Sequence, residues 1–314
     1  MFVTSSTQPG LRSIATAVSV LCAFLVLACS VQKPTLTTES HDARLVTDEA
    51  GRRVTVPAKI ERFISLAPNL TEIAYAVGAG DRLVGNTTFC DYPAPAKKVQ
   101  KVGDTLQPSI ERILALRPQL VLVSTASQLE AFTKQLDEYR IAVYVTDPRD
   151  LEGVFRSIEN LGKLLNQDRG AEAAVTQLRQ RATSVTEAVK SSNPIKVFYQ
   201  LSAEPLYTAG RDSFVTDLIR RAGGVSVTSD VPEAWPRYSQ EAAVAARPEA
   251  IILPTDGSMG SANSQVAGGL KRSPAALSGR VYRINGDFLS RPGPRAVDGL
   301  EALAHALHPE ALNK

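Results

Sequence analysis

The amino-acid sequence predicts an α/β fold of two similar α/β lobes with parallel-rich central sheets, joined by a long α-helix. A sixteen-residue phrase occurs twice, as Pro108–Val123 and as Tyr238–Leu253, so the two copies begin 130 residues apart. Each copy reads Ser, one residue, Glu, five residues, Arg-Pro, two residues and an apolar run. This pattern predicts a short helix that opens with a carboxylate and stops at Pro before a strand, once in each lobe.

Residues 1–28 have the composition of an export signal. One charged residue, Arg12, precedes an apolar stretch over residues 14–28, which is short for a membrane span. The stretch ends in Val-Leu-Ala-Cys29, which resembles a bacterial lipobox, where Cys29 would become the lipidated first residue of the mature protein. Cleavage without lipidation is the alternative. In either case we expect an exported, periplasm-facing protein, and the lipobox predicts a lipid anchor in the cell membrane.

Charge and cysteine content narrow the possible partners. The formal net charge of +3 falls to +2 when Arg12 is removed with the signal, which gives no reason to expect nucleic acid as a partner. Cys22 lies in the signal and Cys29 is the expected anchor, so Cys90 is the cysteine that remains. The mature chain is therefore expected to form no internal disulfide. Residues 29–50 are predicted to be a flexible tether.

The first lobe, residues 51–148, alternates strands with helices, as a parallel sheet requires. Its Asn-Leu-Thr-Glu segment predicts a helix capped by Asn69, with Glu72 three residues further on. The strands are predicted at residues 53–56, 63–67, 82–86, 119–123 and 141–146, and the other helices at 109–116 and 127–139.

Residues 149–192 are predicted to be a helical linker between the lobes. Apolar residues recur at helical spacing from Leu151 to Leu165, and a second helix over residues 168–190 would span about 35 Å. The second lobe, residues 193–314, repeats the order of the first, and we expect a ligand cleft between the two lobes. Its elements are predicted at 196–201, 213–222, 250–253, 281–284 and 295–307, with a Gly/Ser-rich loop over 257–269.

Metal capture and catalysis find little support in the residues. His41 lies in the predicted tether, and His305 and His308 are expected on a solvated face of the last helix, so no metal site is predicted. The sequence contains no nucleophile elbow, phosphate-binding loop or dinucleotide fingerprint, and so few histidines leave Cys90 without a base. We expect a buried thiol at Cys90, no catalytic residues, and a protein that is not an enzyme.

Aromatic residues are few, with one Trp, eight Tyr and nine Phe, yet several fall in loops that should face the cleft. Flat apolar side chains with Arg291 and Arg295 nearby suit a large, partly planar ligand that carries amides or acidic groups. The alternative is that some of them, Trp235, Tyr92 and Tyr238 in particular, only fill space between loops and core. The candidate ligand-binding aromatics are Phe89, Tyr92, Tyr207, Trp235, Tyr238 and Phe288.

The two copies of the phrase place Glu111 and Glu241 at matching positions of the two lobes. A carboxylate in the first turn of a helix is favoured by the helix dipole by roughly 0.3–1 kcal/mol and needs no partner. That effect explains one glutamate more easily than a matched pair. Two symmetric carboxylates could instead dock on a two-fold symmetric partner with basic residues.

Residues 62–93, both copies of the phrase, and the segments PLYTAG, AWP and GDFLSRPGPR together resemble the helix-linked substrate-binding proteins of bacterial ABC importers. These proteins take up cobalamin, ferric siderophores or haem, and the resemblance is strongest to the cobalamin-binding members. It implies that Phe89, Tyr207 and Trp235 contact the ligand and that Arg291 hydrogen-bonds its polar periphery. One position departs from the pattern, because Thr105 stands where the cobalamin-binding members have a Trp.

The resemblance also implies partners. Glu111 and Glu241 would pair with arginines of a dimeric permease that works with ATPase subunits. The predicted function is to capture cobalamin or a related corrinoid, with a ferric siderophore or haem as the alternative ligand and an exported enzyme or chelatase less favoured. No cofactor of the protein's own is expected. A long helix between the lobes predicts only modest closure on binding.

Overall fold

The computed structural model describes residues 43–124, 130–255 and 265–312, together with Phe2. The predicted signal, Cys29 and the first part of the predicted tether lie outside the described residues. From residue 43 onward the described residues form one compact unit. None of their helices combines the length and the apolar character that crossing a membrane demands.

Four of the strands described in the first lobe form a parallel sheet, in the order β4-β3-β5-β6. Helix α1 connects β3 to β4, α2 precedes β5, and α3 lies between β5 and β6. The elements are β1 Ala43–Thr47, β2 Arg53–Pro57, β3 Phe63–Ser65, α1 Pro68–Ala76, β4 Leu83–Asn86, α2 Ile110–Ala115, β5 Leu120–Ser124, α3 Glu130–Glu138 and β6 Ala142–Thr146.

The prediction of a flexible tether is wrong for its last residues, because β1 pairs with β2 in an antiparallel hairpin. The turn of this hairpin is fastened to the edge of the sheet at β6. The Glu49 amide donates to the Val145 carbonyl at 3.0 Å, and Asp48 accepts from the Val145 amide at 3.3 Å. The pattern of polar residues does not predict this strand, because bonds to residues about a hundred positions away hold the hairpin in place.

Four of the strands described in the second lobe form a parallel sheet in the order β10-β7-β11-β12, which is the strand order of the first lobe, and β8 pairs with β9 in an antiparallel hairpin. The predicted fold class is confirmed. Strand β10 is not predicted from the sequence, because Gly223-Gly224 indicates only the end of a helix. The elements are β7 Ile195–Tyr199, β8 Ser202–Ala203, β9 Leu206–Tyr207, α6 Phe214–Arg221, β10 Gly224–Ser226, α7 Gln240–Ala245, β11 Ala250–Thr255, α8 Pro274–Leu277, β12 Val281–Asn285, α9 Gly286–Ser290, α10 Ala296–Leu307 and α11 Pro309–Leu312.

Two helices connect the lobes, α4 at Leu151–Leu164 and α5 at Asp168–Val189. Helix α5 has 22 residues and therefore spans about 33 Å. One buried apolar cluster runs from Ile73 in α1 through Ile158 in α4 to Leu218 in α6. The lobes are thus joined on this side by a continuous core.

Strand alternation separates this shared core from two smaller ones. Leu122 of β5 and Ile252 of β11 point into the shared cluster, whereas their neighbours Val121 and Ile251 pack on the opposite faces of their sheets. Both central strands are buried along their whole apolar run. Such two-sided burial is typical of parallel sheets that are covered on both faces.

The repeated phrase folds alike in both lobes. The Ser109 hydroxyl accepts a hydrogen bond from the Arg112 amide at 3.4 Å, and the Ser239 hydroxyl accepts one from the Ala242 amide at 3.0 Å. Each helix ends before an arginine in the left-handed region, with φ of 46° at Arg117 and 49° at Arg247. The residue after each is Pro, which cannot continue a helix.

Candidate functional site

Most of the aromatic residues singled out in the sequence follow the carboxyl ends of strands in the two sheets. Phe89 and Tyr92 follow β4, Tyr207 ends the hairpin that follows β7, and Phe288 lies in α9 directly after β12. Ligands of open parallel sheets bind at this edge. The structure therefore places these side chains at the edges where a cleft between the lobes is expected.

Trp235 belongs to the same group because its segment is bonded to the Tyr207 hairpin. The Thr208 amide donates to the Pro236 carbonyl at 3.2 Å, and the Gly210 amide donates to the Ala234 carbonyl at 3.0 Å. The indole ring is half-buried and its centroid lies 6.2 Å from that of Tyr199, a fully buried core residue. Trp235 thus rests on the core and leaves part of its ring accessible.

The other candidate aromatics differ in how much surface they offer. Phe89 and Tyr92 are 39% and 48% exposed, while Tyr207 and Phe288 are half-buried. Tyr238 packs toward the outer core of the second lobe, with its ring centroid 6.1 Å from that of Phe198. For Tyr238, the sequence alternative of filling space between loop and core fits better.

Arg295 brings the aromatics of the two lobes together. Its guanidinium carbon lies 4.3 Å from the ring centroid of Tyr92 in the first lobe and 5.5 Å from that of Phe288 in the second. Arg295 also donates to Glu72 of α1, from Nε to Oε2 at 2.9 Å and from Nη2 to Oε1 at 2.6 Å. A cation held in this way favours aromatic faces on both sides of it.

Arg291 is buried, with 4% of its surface exposed, and its guanidinium faces carboxylates of both lobes. The Nη1 atom lies 2.8 Å from Asp91 Oδ1 and 3.3 Å from Glu72 Oε1, and Nη2 lies 2.9 Å from Asp287 Oδ1. The Nη2 group also donates to the Phe89 carbonyl at 3.4 Å. The predicted hydrogen bond from Arg291 to a ligand stays a prediction.

The charges of this cluster act on one another. Burial alone would raise the pKa of Asp91, but the hydrogen bond and charge of Arg291 outweigh it, so that the pKa lies below its ordinary value. For Arg295, burial alone would lower the pKa, but the hydrogen bonds and charge interactions with Glu72 and Asp287 raise it. Asp91 and Arg295 are therefore both ionised near neutral pH.

Helix α1 supplies one face of the contact between the lobes, and the predicted start of this helix is wrong. Asn69 does not cap the helix: Ala67 is the N-cap residue and Pro68 occupies the first turn. The Asn69 amide instead donates to the Pro292 carbonyl at 3.3 Å. A Cβ atom built on Gly293 would lie 3.3 Å from Asn69, so the backbones of the two lobes approach closely at this point.

Lys101 holds the loop after β4 from inside the first lobe. Its ammonium donates to Asn86 Oδ1 at 2.7 Å, to the Cys90 carbonyl at 3.0 Å and to the Ala96 carbonyl at 3.2 Å. Burial lowers the pKa of this lysine. Cys90 is a free thiol buried beside the Thr87 hydroxyl, 3.2 Å away, as the sequence predicts.

Sequence reasoning missed Lys101, Glu72, Asp91 and Asp287. The sequence marks Glu72 only as part of a helix start, and no local motif marks the other three. Their partners lie far along the chain or depend on how a loop folds back. Pairing across the lobes could have been inferred only from the fold.

Glu111 and Glu241 are both exposed in the first turn of their helices, α2 and α7. A cavity of about 450 Å³ lies beside α7 and is lined in part by Arg237, Tyr238 and Gln240. The repeated glutamates thus occupy equivalent surface positions. Their docking role stays a prediction.

The histidines differ in part from expectation. His305 is exposed, but His308 is buried at the end of α10, with Nε2 3.1 Å from the Gly223 carbonyl, because α11 turns back at this point. The predicted solvated pair is therefore wrong for His308. Within the described ranges, three or more His, Cys, Asp or Glu side chains are nowhere grouped so as to hold a metal ion. His41 lies outside those ranges.

Two lobes of equal topology, with aromatic loops at the carboxyl ends of their sheets, define a binding protein. Residues 64–287 match the periplasmic binding protein family, and the chain belongs to this family. Members of the family are non-enzymatic components of transport, so the protein binds its substrate without turning it over. The family also confirms the prediction of an exported protein that works outside the cytoplasm.

Three known proteins are similar to this chain in sequence or in structure. The ABC transporter substrate-binding lipoprotein YvrC of Bacillus subtilis, itself uncharacterized, is 32% identical over 276 residues, which cover 86% of this chain and 87% of that protein. The periplasmic vitamin B12 binding protein BtuF of Vibrio cholerae has a crystal structure that matches with a TM-score of 0.70 and 29% identity, covering 81% of this chain and 99% of that one. A periplasmic heme binding protein from Pseudomonas aeruginosa matches with a TM-score of 0.69 and 27% identity, covering 80% and 94%.

Proposed function

We propose that this protein is the substrate-binding component of an ABC importer and that it captures cobalamin or a related corrinoid. The observation that carries the proposal is the set of aromatic side chains at the carboxyl ends of both sheets, with Arg295 between Tyr92 and Phe288. A corrinoid presents a wide, nearly planar ring with amides around its edge. Aromatic faces would contact the ring, and polar groups of the surrounding loops would reach its edge.

Haem is the second candidate, and one observation favours it. Tyrosine is a known protein ligand of haem iron, and Tyr92 and Tyr207 both lie at the cleft edges of their lobes. The Tyr92 ring, however, already stacks on Arg295. The likeness to the vitamin B12 binding protein at 29% identity and to the heme binding protein at 27% supports both candidates almost equally.

The two lobes differ at a position that bears on ligand choice. In the alignment of the two phrases, Trp235 of the second lobe corresponds to Thr105 of the first, since the copies are offset by 130 residues. Next to Thr105 lies Leu106, which is 75% exposed. The first lobe therefore offers the ligand Phe89 and the aliphatic side chain of Leu106. A second indole in place of Thr105 would leave less room for the ligand.

Delivery completes the proposed function. Cys29 would carry a lipid that keeps the protein at the cell membrane, and the lipoprotein name of the Bacillus subtilis relative supports this. Glu111 and Glu241 would dock on basic residues of a dimeric permease that works with ATPase subunits. The continuous core through α4 and α5 supports modest closure on binding.

The test is a binding titration of the chain from residue 30 onward with cyanocobalamin, haemin and a ferric hydroxamate siderophore. Equilibrium dialysis measures the affinity, and the fluorescence of Trp235, the only Trp in the chain, reports whether the ligand lies near the second lobe. Saturable binding of cyanocobalamin supports the corrinoid assignment. Binding of haemin or the siderophore alone would overturn it and leave the transport function in place.

A further inference from the structure

The Phe89–Asp91 segment is held by two cations, one from each lobe. Lys101 of the first lobe donates to the Cys90 carbonyl at 3.0 Å. Arg291 of the second lobe donates to the Phe89 carbonyl at 3.4 Å and to Asp91 Oδ1 at 2.8 Å. Three consecutive residues are thus fastened from both sides, and the first of them is a candidate ligand contact.

The hydrogen bonds from the second lobe are donated by a buried side chain. Arg291 is almost inaccessible, and its Nε atom has no partner within the described part of the chain. Its two Nη groups are occupied by carboxylates and a carbonyl. Of these partners, only the Asp91 side chain is more than half exposed, so Asp91 is the member at which the cluster meets solvent.

The balance of charges explains why the bonds from Arg291 determine the position of the Phe89–Asp91 segment. With Arg291 present, two guanidinium groups face the carboxylates of Glu72, Asp91 and Asp287. Without it, Glu72 and Asp287 would keep their ion pairs with Arg295, whereas Asp91 would keep only charge interactions with Arg295 and Lys101, and carboxylates at close range repel one another. Asp91 is on a loop and can move away, whereas Glu72 is fixed in α1.

We propose that Arg291 is a positioning residue: through Asp91 and the Phe89 carbonyl it sets the first lobe's aromatic loop against the second lobe, and thereby the width of the ligand cleft. This inference rests on the proposed function and assigns Arg291 a role behind the ligand surface. The resemblance instead implied direct contact between Arg291 and the ligand.

Hydrogen exchange and ligand binding test the proposal together. In the ligand-free chain, Asp91→Asn and Arg291→Gln should each speed amide exchange in residues 88–92 several-fold, and Arg291→Lys should restore part of the protection. The matched control is Arg149→Gln, which removes an exposed ion pair with Asp147 at 2.9 Å. It should leave exchange in this segment unchanged.

Affinity for the ligand identified by the titration gives the second readout. Arg291→Gln and Asp91→Asn should each weaken binding by roughly tenfold, and the double variant should be no weaker than Arg291→Gln alone, because both remove one tie. Unchanged exchange and affinity in Asp91→Asn, beside a loss of affinity in Arg291→Gln, would make Arg291 a direct ligand contact and overturn the proposal. If the unmodified chain bound none of the three probes, the proposed function would fail. The exchange comparison would still show whether Arg291 holds the Phe89–Asp91 segment in place.

Discussion

Glu72 and Arg295 join the two lobes through a two-pronged ion pair, with N···O distances of 2.9 and 2.6 Å. The glutamate belongs to α1 of the first lobe and is 3% exposed, and the arginine precedes α10 of the second. Burying both charges costs solvation free energy, which the hydrogen bonds offset only while both partners are present. The pair therefore makes lobe contact sensitive to either residue.

Glu72→Gln should lower the free energy of unfolding by about 1.5–3 kcal/mol, because it removes two hydrogen bonds between charged groups and leaves Arg295 only its longer contact with Asp287 at 3.4 Å. Urea unfolding followed by circular dichroism measures the change. Glu187→Gln is the control, since Glu187 pairs with Lys190 on the exposed side of α5 at 3.2 Å and should change stability by less than about 1 kcal/mol. The double replacement Glu72→Leu with Arg295→Met should recover much of the loss. Equal stability of Glu72→Gln and Glu187→Gln would contradict the cost assigned to the pair.

The parts of the fold that the sequence predicted are those with local periodicity. The two copies of the phrase predicted α2 with β5 and α7 with β11, because each contains its own cap, stop and apolar run. Strand β10 has three residues and begins with Gly224, and it is a strand because it pairs with β7. Such a segment has no period of its own to detect.

The candidate site divides in the same way. Trp235 and Phe89 could be selected because aromatic residues are scarce in this chain and fall in loops. The pairing of Glu72 with Arg295 joins residues 223 positions apart, and that of Asp91 with Arg291 joins residues 200 apart. Only the docking of one lobe on the other brings these charges together, so no spacing rule could identify them.

Trp235→Ala should weaken ligand binding by tenfold or more, a loss of about 1.4 kcal/mol or greater, because the indole is the largest apolar face at the second lobe's edge. Dialysis measures the affinity, since this variant lacks the fluorescent reporter. Tyr139→Ala is the matched control, because Tyr139 is an exposed aromatic just after α3 and is not part of the proposed site. An unchanged affinity in Trp235→Ala would leave the indole with only its packing role against Tyr199.

Asp217 links α6 to the start of α4 and should make stability depend on acid pH. Its carboxylate accepts from the Leu151 amide at 3.0 Å and from Arg221 Nε at 2.8 Å. Burial alone would raise the pKa of Asp217, but these bonds and that from Arg220 lower it on balance. A carboxyl whose folded pKa lies below its unfolded value of about 3.9 stabilises the fold above that value, and this contribution is lost as pH falls through the folded pKa.

Asp217→Asn should therefore lower the free energy of unfolding at pH 7 by about 2 kcal/mol, the range measured for hydrogen bonds to charged groups. The variant should also lose less stability than the unmodified chain when pH falls from 5 to 3. Thermal melts across this range supply the comparison, with Asp212→Asn as the exposed control. Parallel pH profiles for Asp217→Asn and the unmodified chain would show that other carboxylates govern the acid response.

The repeated glutamates provide a test that separates docking from ligand capture. Glu111 and Glu241 open α2 and α7, and both are exposed on helices that follow equivalent caps. Reversing both charges, Glu111→Arg with Glu241→Arg, should leave ligand affinity within about twofold, because neither side chain belongs to the aromatic cluster. It should weaken binding to the permease in detergent or nanodiscs by roughly a hundredfold, since like charges would face each other in place of two ion pairs.

Glu138→Arg with Glu310→Arg is the matched control, with one exposed glutamate near the end of α3 in the first lobe and one in α11 of the second. It changes net charge by the same amount and so removes long-range attraction from the comparison. If both double variants bound the permease equally well, position within the repeat would be irrelevant and the docking role would fail. If Glu111→Arg with Glu241→Arg lost ligand affinity while remaining folded, the glutamates would belong to the cleft. Loss of permease binding in Glu111→Arg with Glu241→Arg, but not in the control, would show that the duplicated phrase takes part in docking, and the two single variants would then show whether both lobes contribute.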